Sequence, residues 1–229
     1  MITAAALCPA PPLLARELTG GDPVLPELRE ACLAAVHALL RTGPEVIAVV
    51  GTAAQTGTWD GASRLDLGIY APAAGHGGTP GLPPSLGLGA LLLDQAGYTG
   101  RRLLQGAGQN AEASACAGTG EELARQPERM ALLVMADGSA RRSRRAPGAL
   151  DERSAGFDAG VEQAVRAGDL AALSKVDRAL AAELMATGWP AWQVLAGALR
   201  WTRPAAEVLY SEDPFGVAYL VAVLTVTPA

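Results

Sequence analysis

An α/β domain, with a mostly parallel central sheet covered by helices on both faces, is the fold this sequence predicts, as a single unit over residues 1–229. Short apolar runs alternate with stretches whose apolar residues recur every three or four positions, the pattern of strands feeding crossover helices. Two of the runs, Val46 to Val50 and Met130 to Met135, are apolar at every position, as strands buried on both faces read. The chain is 50% hydrophobic and 18% charged, which suffices for one large core and excludes disorder.

Taken in order, Ile2 to Leu7 reads as a first strand, stopped by Pro9-Ala10-Pro11-Pro12. Leu25, Leu28, Cys32, Val36 and Leu39 mark an amphipathic helix over Leu25 to Arg41, with Asp22 and Pro23 suited to its start and Gly43-Pro44 to its end. Val46 to Val50 is the next strand, ending at Gly51, and Leu65 to Tyr70 alternates weakly and suits another. The Gly/Pro-rich segment from Ala71 to Pro84 is too long for a simple connection. Leu86 to Ala96 reads as a helix. Thr99 to Gly120 leaves its structure open, with room for short strands, before the strand Met130 to Met135. Helical patterning dominates Leu150 to Arg200, punctuated at Gly168-Asp169 and Gly188. Phe215 to Val226 closes the chain as a long strand, apolar on both faces and therefore expected to be central. In such a sheet ligands sit outside the carboxyl ends of the strands. The segments that bear on function are thus Cys8 to Pro12, Gly51 to Gly57, Asp137 to Arg145 and the Ser211-Glu212-Asp213 loop.

Lysine plus arginine is 18 and aspartate plus glutamate 23, a net charge of −5, without the basic footprint of a nucleic-acid binder. The three cysteines, Cys8, Cys32 and Cys116, lack the spacing of a disulfide framework or a zinc knuckle. Met1 to Ala6 has no signal-peptide character, and the longest apolar run is too short to span a bilayer as a helix. The expected setting is the cytoplasm, with reduced thiols and neither nucleic acid nor membrane as partner.

Four segments resemble the class III extradiol ring-cleavage dioxygenases, the LigB-like family. Cys8-Pro9-Ala10-Pro11-Pro12-Leu13-Leu14 is similar to that family's Pro-His-Pro-Pro opening, and Pro44 to Ala53 to its second strand, which runs into a histidine. Met135-Ala136-Asp137-Gly138-Ser139-Ala140-Arg141 resembles its Gly-Asp-x-Ser-His-Arg turn, and Pro214 to Ala222 its closing strand. The matches fall in order and span nearly the whole chain. The family holds a ferrous iron on two histidines and a glutamate and moves protons with a further histidine. The resemblance carries those histidine positions onto Ala10, Ala53 and Ala140. A methyl group neither donates a lone pair to iron nor carries a proton. The chain's two histidines do not make up the deficit: His37 lies beside the apolar stripe of a helix, and His76 in the loop Gly75-His76-Gly77-Gly78. The expectation is a scaffold with no bound metal or cofactor, the family iron having been lost.

The residues left to form a cleft are Cys8, Gln55, Asp137, Ser139, Arg141 and Glu212. Cys8 at a strand end reads as a packed thiol or as one lining the pocket. Asp137 and Ser139 line the cleft or serve their own turn. Arg141, Arg142, Arg144 and Arg145 suit an anionic ligand or pair with acids such as Asp151 and Glu152. Gln55 and Thr56 supply polar groups, and Glu212 is placed to be a remnant carboxylate. Trp189, Trp192 and Trp201 read as core or as a subunit interface.

Three functional readings follow. The first is a catalytically degenerate dioxygenase-like scaffold, binding a small molecule or acting as a partner subunit. The second is an oxidoreductase- or hydrolase-type enzyme rebuilt in the same cleft on Cys8, Asp137, Glu212 and His76. The third is a purely structural dimerisation module with the Trp-bearing helices as interface, a homo-oligomer without enzymatic activity.

Overall fold

The computed structural model describes residues 1–20, 24–71 and 77–226. Seven strands form one sheet: β1 (Ile2–Cys8), β2 (Val46–Ala53), β3 (Gly57–Trp59), β4 (Arg101–Gly108), β5 (Met130–Met135), β6 (Ala205–Glu212) and β7 (Tyr219–Thr225). Their order is β3-β4-β2-β5-β1-β7-β6. The four central strands, β4, β2, β5 and β1, run parallel, and β3, β7 and β6 each pair antiparallel with their neighbours. The domain is thus α/β with a mostly parallel sheet, as the alternation of patterns predicts.

The helices are α1 (Pro26–Arg41), α2 (Pro84–Gln95), α3 (Ala113–Ala124), α4 (Arg153–Arg166), α5 (Leu170–Ser174), α6 (Arg178–Glu183) and α7 (Trp189–Ala198). Helices α1 and α2 bury Leu28, Cys32, Val36, Leu88 and Leu92 on one face of the sheet, against Ala6, Val49 and Leu133. Across the sheet, α3, α4, α5 and α7 bury Cys116, Val161, Leu173, Trp192 and Leu195 against Val50, Leu132 and Val134. Every residue of β5 is buried, which is why no alternation survives in its sequence. Helix α2 approaches β2 so closely that a Cβ on Gly89 would overlap Val49.

Several expectations need correction. Leu65 to Tyr70 is not a strand but holds a 3-10 turn, Leu67–Ile69, in which Asp66 accepts the Gly68 N–H at 2.9 Å. This is local aspartate–backbone chemistry that competes with a sheet ladder. The region Thr99 to Gly120 resolves into all of β4 and most of α3. Ser211 and Glu212 do not lie in a loop; they end β6, a strand missed because none of its residues is buried at the sheet's edge and a register shift between Val208 and Tyr210 interrupts any alternation. The closing strand starts at Tyr219, not Phe215, and lies one place in from the edge. Helix α1 starts with Pro26 after Leu25, whose φ of 54° places it in the left-handed region; Asp22 and Pro23 lie outside the described residues.

Candidate functional site

Adjacent strands whose connections leave for opposite faces open a crevice at their carboxyl ends. Here β1 leads to α1 on one face, while β5, its neighbour, leads toward α4 and α7 on the other. The crevice falls between Cys8-Pro9-Ala10 and Ala136-Asp137. The parallel register ends at Cys8↔Met135 on one side and Gly51↔Met135 on the other. Ala10, Asp137 and Ala53 each stand two positions past that common rung, so register brings Asp137 to the same height as the two alanines.

The segment after β5 is fixed from three sides. Ala136 N–H donates to Cys8 O at 2.8 Å and Ala10 N–H to Asp137 Oδ1 at 2.8 Å, which ties it to β1. Gly138 N–H donates to Ala218 O and Ala218 N–H to Ser139 O, which ties it to the approach of β7. Gly188 N–H donates to Asp137 O, at the start of α7. Asp137 is only partly exposed and receives no hydrogen bond at its other carboxylate oxygen from a described residue. Burial pushes its carboxyl up to about 6, and the Ala10 N–H only partly offsets this. Burial, followed by the nearby Asp137 charge, also pushes up the phenols of Tyr70 and Tyr219. The charge of Asp137 is thus felt by two phenols near the carboxyl edge of the sheet.

The other residues singled out from sequence have distinct fates. Cys8 is fully buried with its thiol against that of Cys32 on α1; this hydrogen bond, with burial, pushes the Cys8 thiol well up. Ser139 is fully buried too, and gives both its N–H (2.9 Å) and its Oγ–H (2.5 Å) to the Asp158 carboxylate. Arg141 donates to the carbonyls of Gly148 (2.7 Å) and Glu183 (3.0 Å), stapling its loop to the end of α6. Arg142 pairs with Asp213 at 2.7 Å, and Asp151 pairs with Arg153, so the expected partners Asp151 and Glu152 are not those of the Arg141 cluster. Gln55 is exposed just past β2. Glu212 is exposed at the end of β6, opposite Tyr219, and lines a cavity behind the crevice. His37 is exposed on α1, and His76 lies outside the described residues. Trp189 and Trp192 are core residues, whereas Trp201 is 85% exposed beneath the Arg200 guanidinium.

Sequence reasoning did not single out Asp158, Tyr70 or Tyr219 for this region. Asp158 could have been found as an acid on the helical pattern after the Asp137 turn, whereas only the fold brings the tyrosines to the carboxyl edge.

A ferrous iron of the kind the resemblance implies does not fit the residues present. Ala10 presents its backbone N–H to Asp137, Ala53 is 5% exposed, and Ala140 is buried with its N–H on Leu184 O. Among the described residues no three His, Cys, Asp or Glu side chains come together to hold a metal ion. No helix among them is long and apolar enough to cross a membrane.

The chain matches no protein-family model and none of the curated proteins. Its fold is similar to the crystal structure of an uncharacterized protein from Escherichia coli K12, with a TM-score of 0.58 and 14% identity over 97% of this chain and 99% of that one.

Proposed function

We propose that this chain is a relative of the class III extradiol dioxygenases that has kept the α/β scaffold, lost the iron chemistry, and binds a small molecule at the carboxyl edge of β1, β5 and β2. The observation that carries this reading is the height of Ala10 and Ala53 beside Asp137: two methyl groups flank one carboxyl where the family resemblance calls for imidazoles. A hydrogen-bond-poor carboxyl flanked by methyl groups is suited to gripping a polar ligand, and the phenols of Tyr70 and Tyr219, which burial keeps protonated, are poor donors to Fe(II). The test is to load the purified chain with Fe(II) under anaerobic conditions, admit oxygen and a catechol, and follow ring-opened product and bound iron. Neither is expected. Stoichiometric iron with product formation overturns the reading.

A second reading, an acid–base enzyme rebuilt in the same crevice, draws on one observation. The Asp137 carboxyl, pushed up to about 6, is poised to exchange a proton near neutral pH. It requires a turnover that Asp137→Asn abolishes while leaving the fold intact.

A further inference from the structure

The two edges of the sheet differ. At one, β3 is three residues long, and the turn after it lies over β4, where a Cβ on Gly61 would overlap the Arg102 carbonyl. A short or covered edge offers little for another strand to pair with. At the other, β6 runs for eight residues, Ala205–Glu212, with β7 on one side only. No described residue outside the β6–β7 pair makes a hydrogen bond to its backbone. A row of unpaired N–H and C=O groups therefore faces outward.

What surrounds that edge selects what can add to it. A groove of about 570 Å³ runs between α1 and the second half of β6; Ala31, Leu209 and Tyr210 give it apolar surface, and the charged residues lining it are Glu27, Glu30 and Glu212. The register shift between Val208 and Tyr210 turns Leu209 and Tyr210 together toward the α1 side. The Tyr210 hydroxyl donates to Glu212 at 3.4 Å. Burial, then the charges of Glu212 and Glu27, push that phenol up to about 12, so acids of the helix and of the strand act on one spot. Glu207 adds a carboxylate further along the strand. None of these four carboxylates pairs with a described cation, and two arginines near the strand's end are engaged elsewhere, Arg142 with Asp213 and Arg166 with Glu162. Arg203, exposed ahead of the strand, is the cation nearest to it in sequence. A second copy of the chain would bring the same carboxylates to the join, and like charges across paired strands are destabilising. A segment of opposite charge is complementary to this edge.

We propose that β6 is a docking edge for an extended basic segment of a partner protein, which adds a strand to the sheet and lays its arginine or lysine side chains in the groove beside α1. The backbone pairing gives affinity, and side chains on alternate positions give specificity. Their methylene stems cover Leu209 and Tyr210 while their charged ends meet Glu27, Glu30 and Glu212. This edge lies beyond β7 from the crevice, and it stands on the open strand and its charge, not on the family reading; either can fail without the other.

The test uses the whole chain and a fluorescein-labelled hexapeptide of alternating arginine and valine, followed by fluorescence anisotropy. Saturable one-to-one binding is expected, weakened by salt, while a hexapeptide of alternating glutamate and valine is expected not to bind. Glu27→Gln combined with Glu30→Gln, both exposed positions, is expected to weaken binding about fivefold, as suits the loss of two exposed ion pairs. Strand addition has a signature that charge alone lacks, because successive amides of an added strand face opposite ways. Of two peptides N-methylated on alternate amides, one set odd and the other even, one is expected to bind like the parent and the other to lose binding. Equal binding of the two overturns the proposal, as does absence of binding by the parent peptide or a double glutamine variant that binds it unchanged. A chain that sediments as a dimer and excludes the peptide assigns the edge to a second copy and overturns it equally.

Discussion

Asp137 Oδ1 accepts the backbone N–H of Ala10 at 2.8 Å, so the turn after β5 is pinned to the turn after β1 by a carboxyl with no other hydrogen-bond partner among the described residues. This bond crosses the crevice where the two chain connections part, and it makes the charge state of one side chain a term in the stability of the carboxyl edge.

The sign of that term follows from the direction of the shift. A carboxyl raised from the usual value near 4 to about 6 holds its proton more tightly in the fold than in the unfolded chain. The fold therefore loses stability as pH rises from about 4 to about 6, and the full penalty persists above that. The shift corresponds to roughly 2–3 kcal/mol. Asp137→Asn removes the charge and keeps an oxygen for Ala10, so urea unfolding is expected to show the variant about 2 kcal/mol more stable at pH 8 and nearly equal at pH 4. A variant less stable at pH 8 would contradict this account.

Removing Asp158 has the opposite effect, because its oxygens are occupied. It accepts both hydrogen-bonding groups of Ser139, and Arg142 stands 3.8 Å away. Asp158→Ala leaves a buried N–H and a buried hydroxyl without acceptors, and is expected to cost about 2–3 kcal/mol in urea unfolding. Ser139→Ala removes one donor of the pair and is expected to cost about 1 kcal/mol.

What the sequence discloses of this molecule follows from how much each signal depends on contacts made far away in the chain. The strands Val46 to Val50 and Met130 to Met135 are legible because burial on both faces leaves its mark on every residue. Helix α1 is legible because its apolar stripe is local. By contrast, β6 at the sheet edge has neither signature, and α3 is masked by Gly118 and Gly120, which read as breakers. Gly120 sits in a helix because α7 passes so close that a Cβ there would overlap the Val194 carbonyl. At the site, the Asp137 turn stands out from its place after an all-apolar strand. The Cys8–Cys32 contact, Tyr219 within reach of the Asp137 charge, and the groove between α1 and β6 each join residues that no spacing relates.

The α3–α7 contact gives a direct stability test. Gly197 on α7 faces Ala117 on α3, and a Cβ at 197 would overlap the Ala117 carbonyl and lie 2.6 Å from its Cα. Alanine normally gains about 1 kcal/mol over glycine inside a helix. Here the clash is with backbone, which cannot rotate away, so Gly197→Ala is expected to destabilise by about 1–3 kcal/mol, with a lower Tm. An unchanged or higher Tm would mean that the two helices can separate at little cost.

The thiols separate the binding reading from one in which Cys8 attacks a substrate. A nucleophilic cysteine needs access and a lowered pKa. Cys8 and Cys32 are 0% exposed and Cys116 is 3% exposed. Contact with the Cys32 thiol and burial together push Cys8 up, and burial pushes Cys116 up despite the nearby Arg178. With an aromatic disulfide reagent at pH 8, the native chain is expected to release almost no thiolate over minutes, and all three equivalents once unfolded in guanidinium. Modification then tracks unfolding, so Gly197→Ala should speed it by the factor by which it raises the unfolded population. Prompt reaction of one thiol in the native chain, lost in Cys8→Ala, would instead make the end of β1 accessible and return Cys8 to the groups able to do chemistry in the crevice.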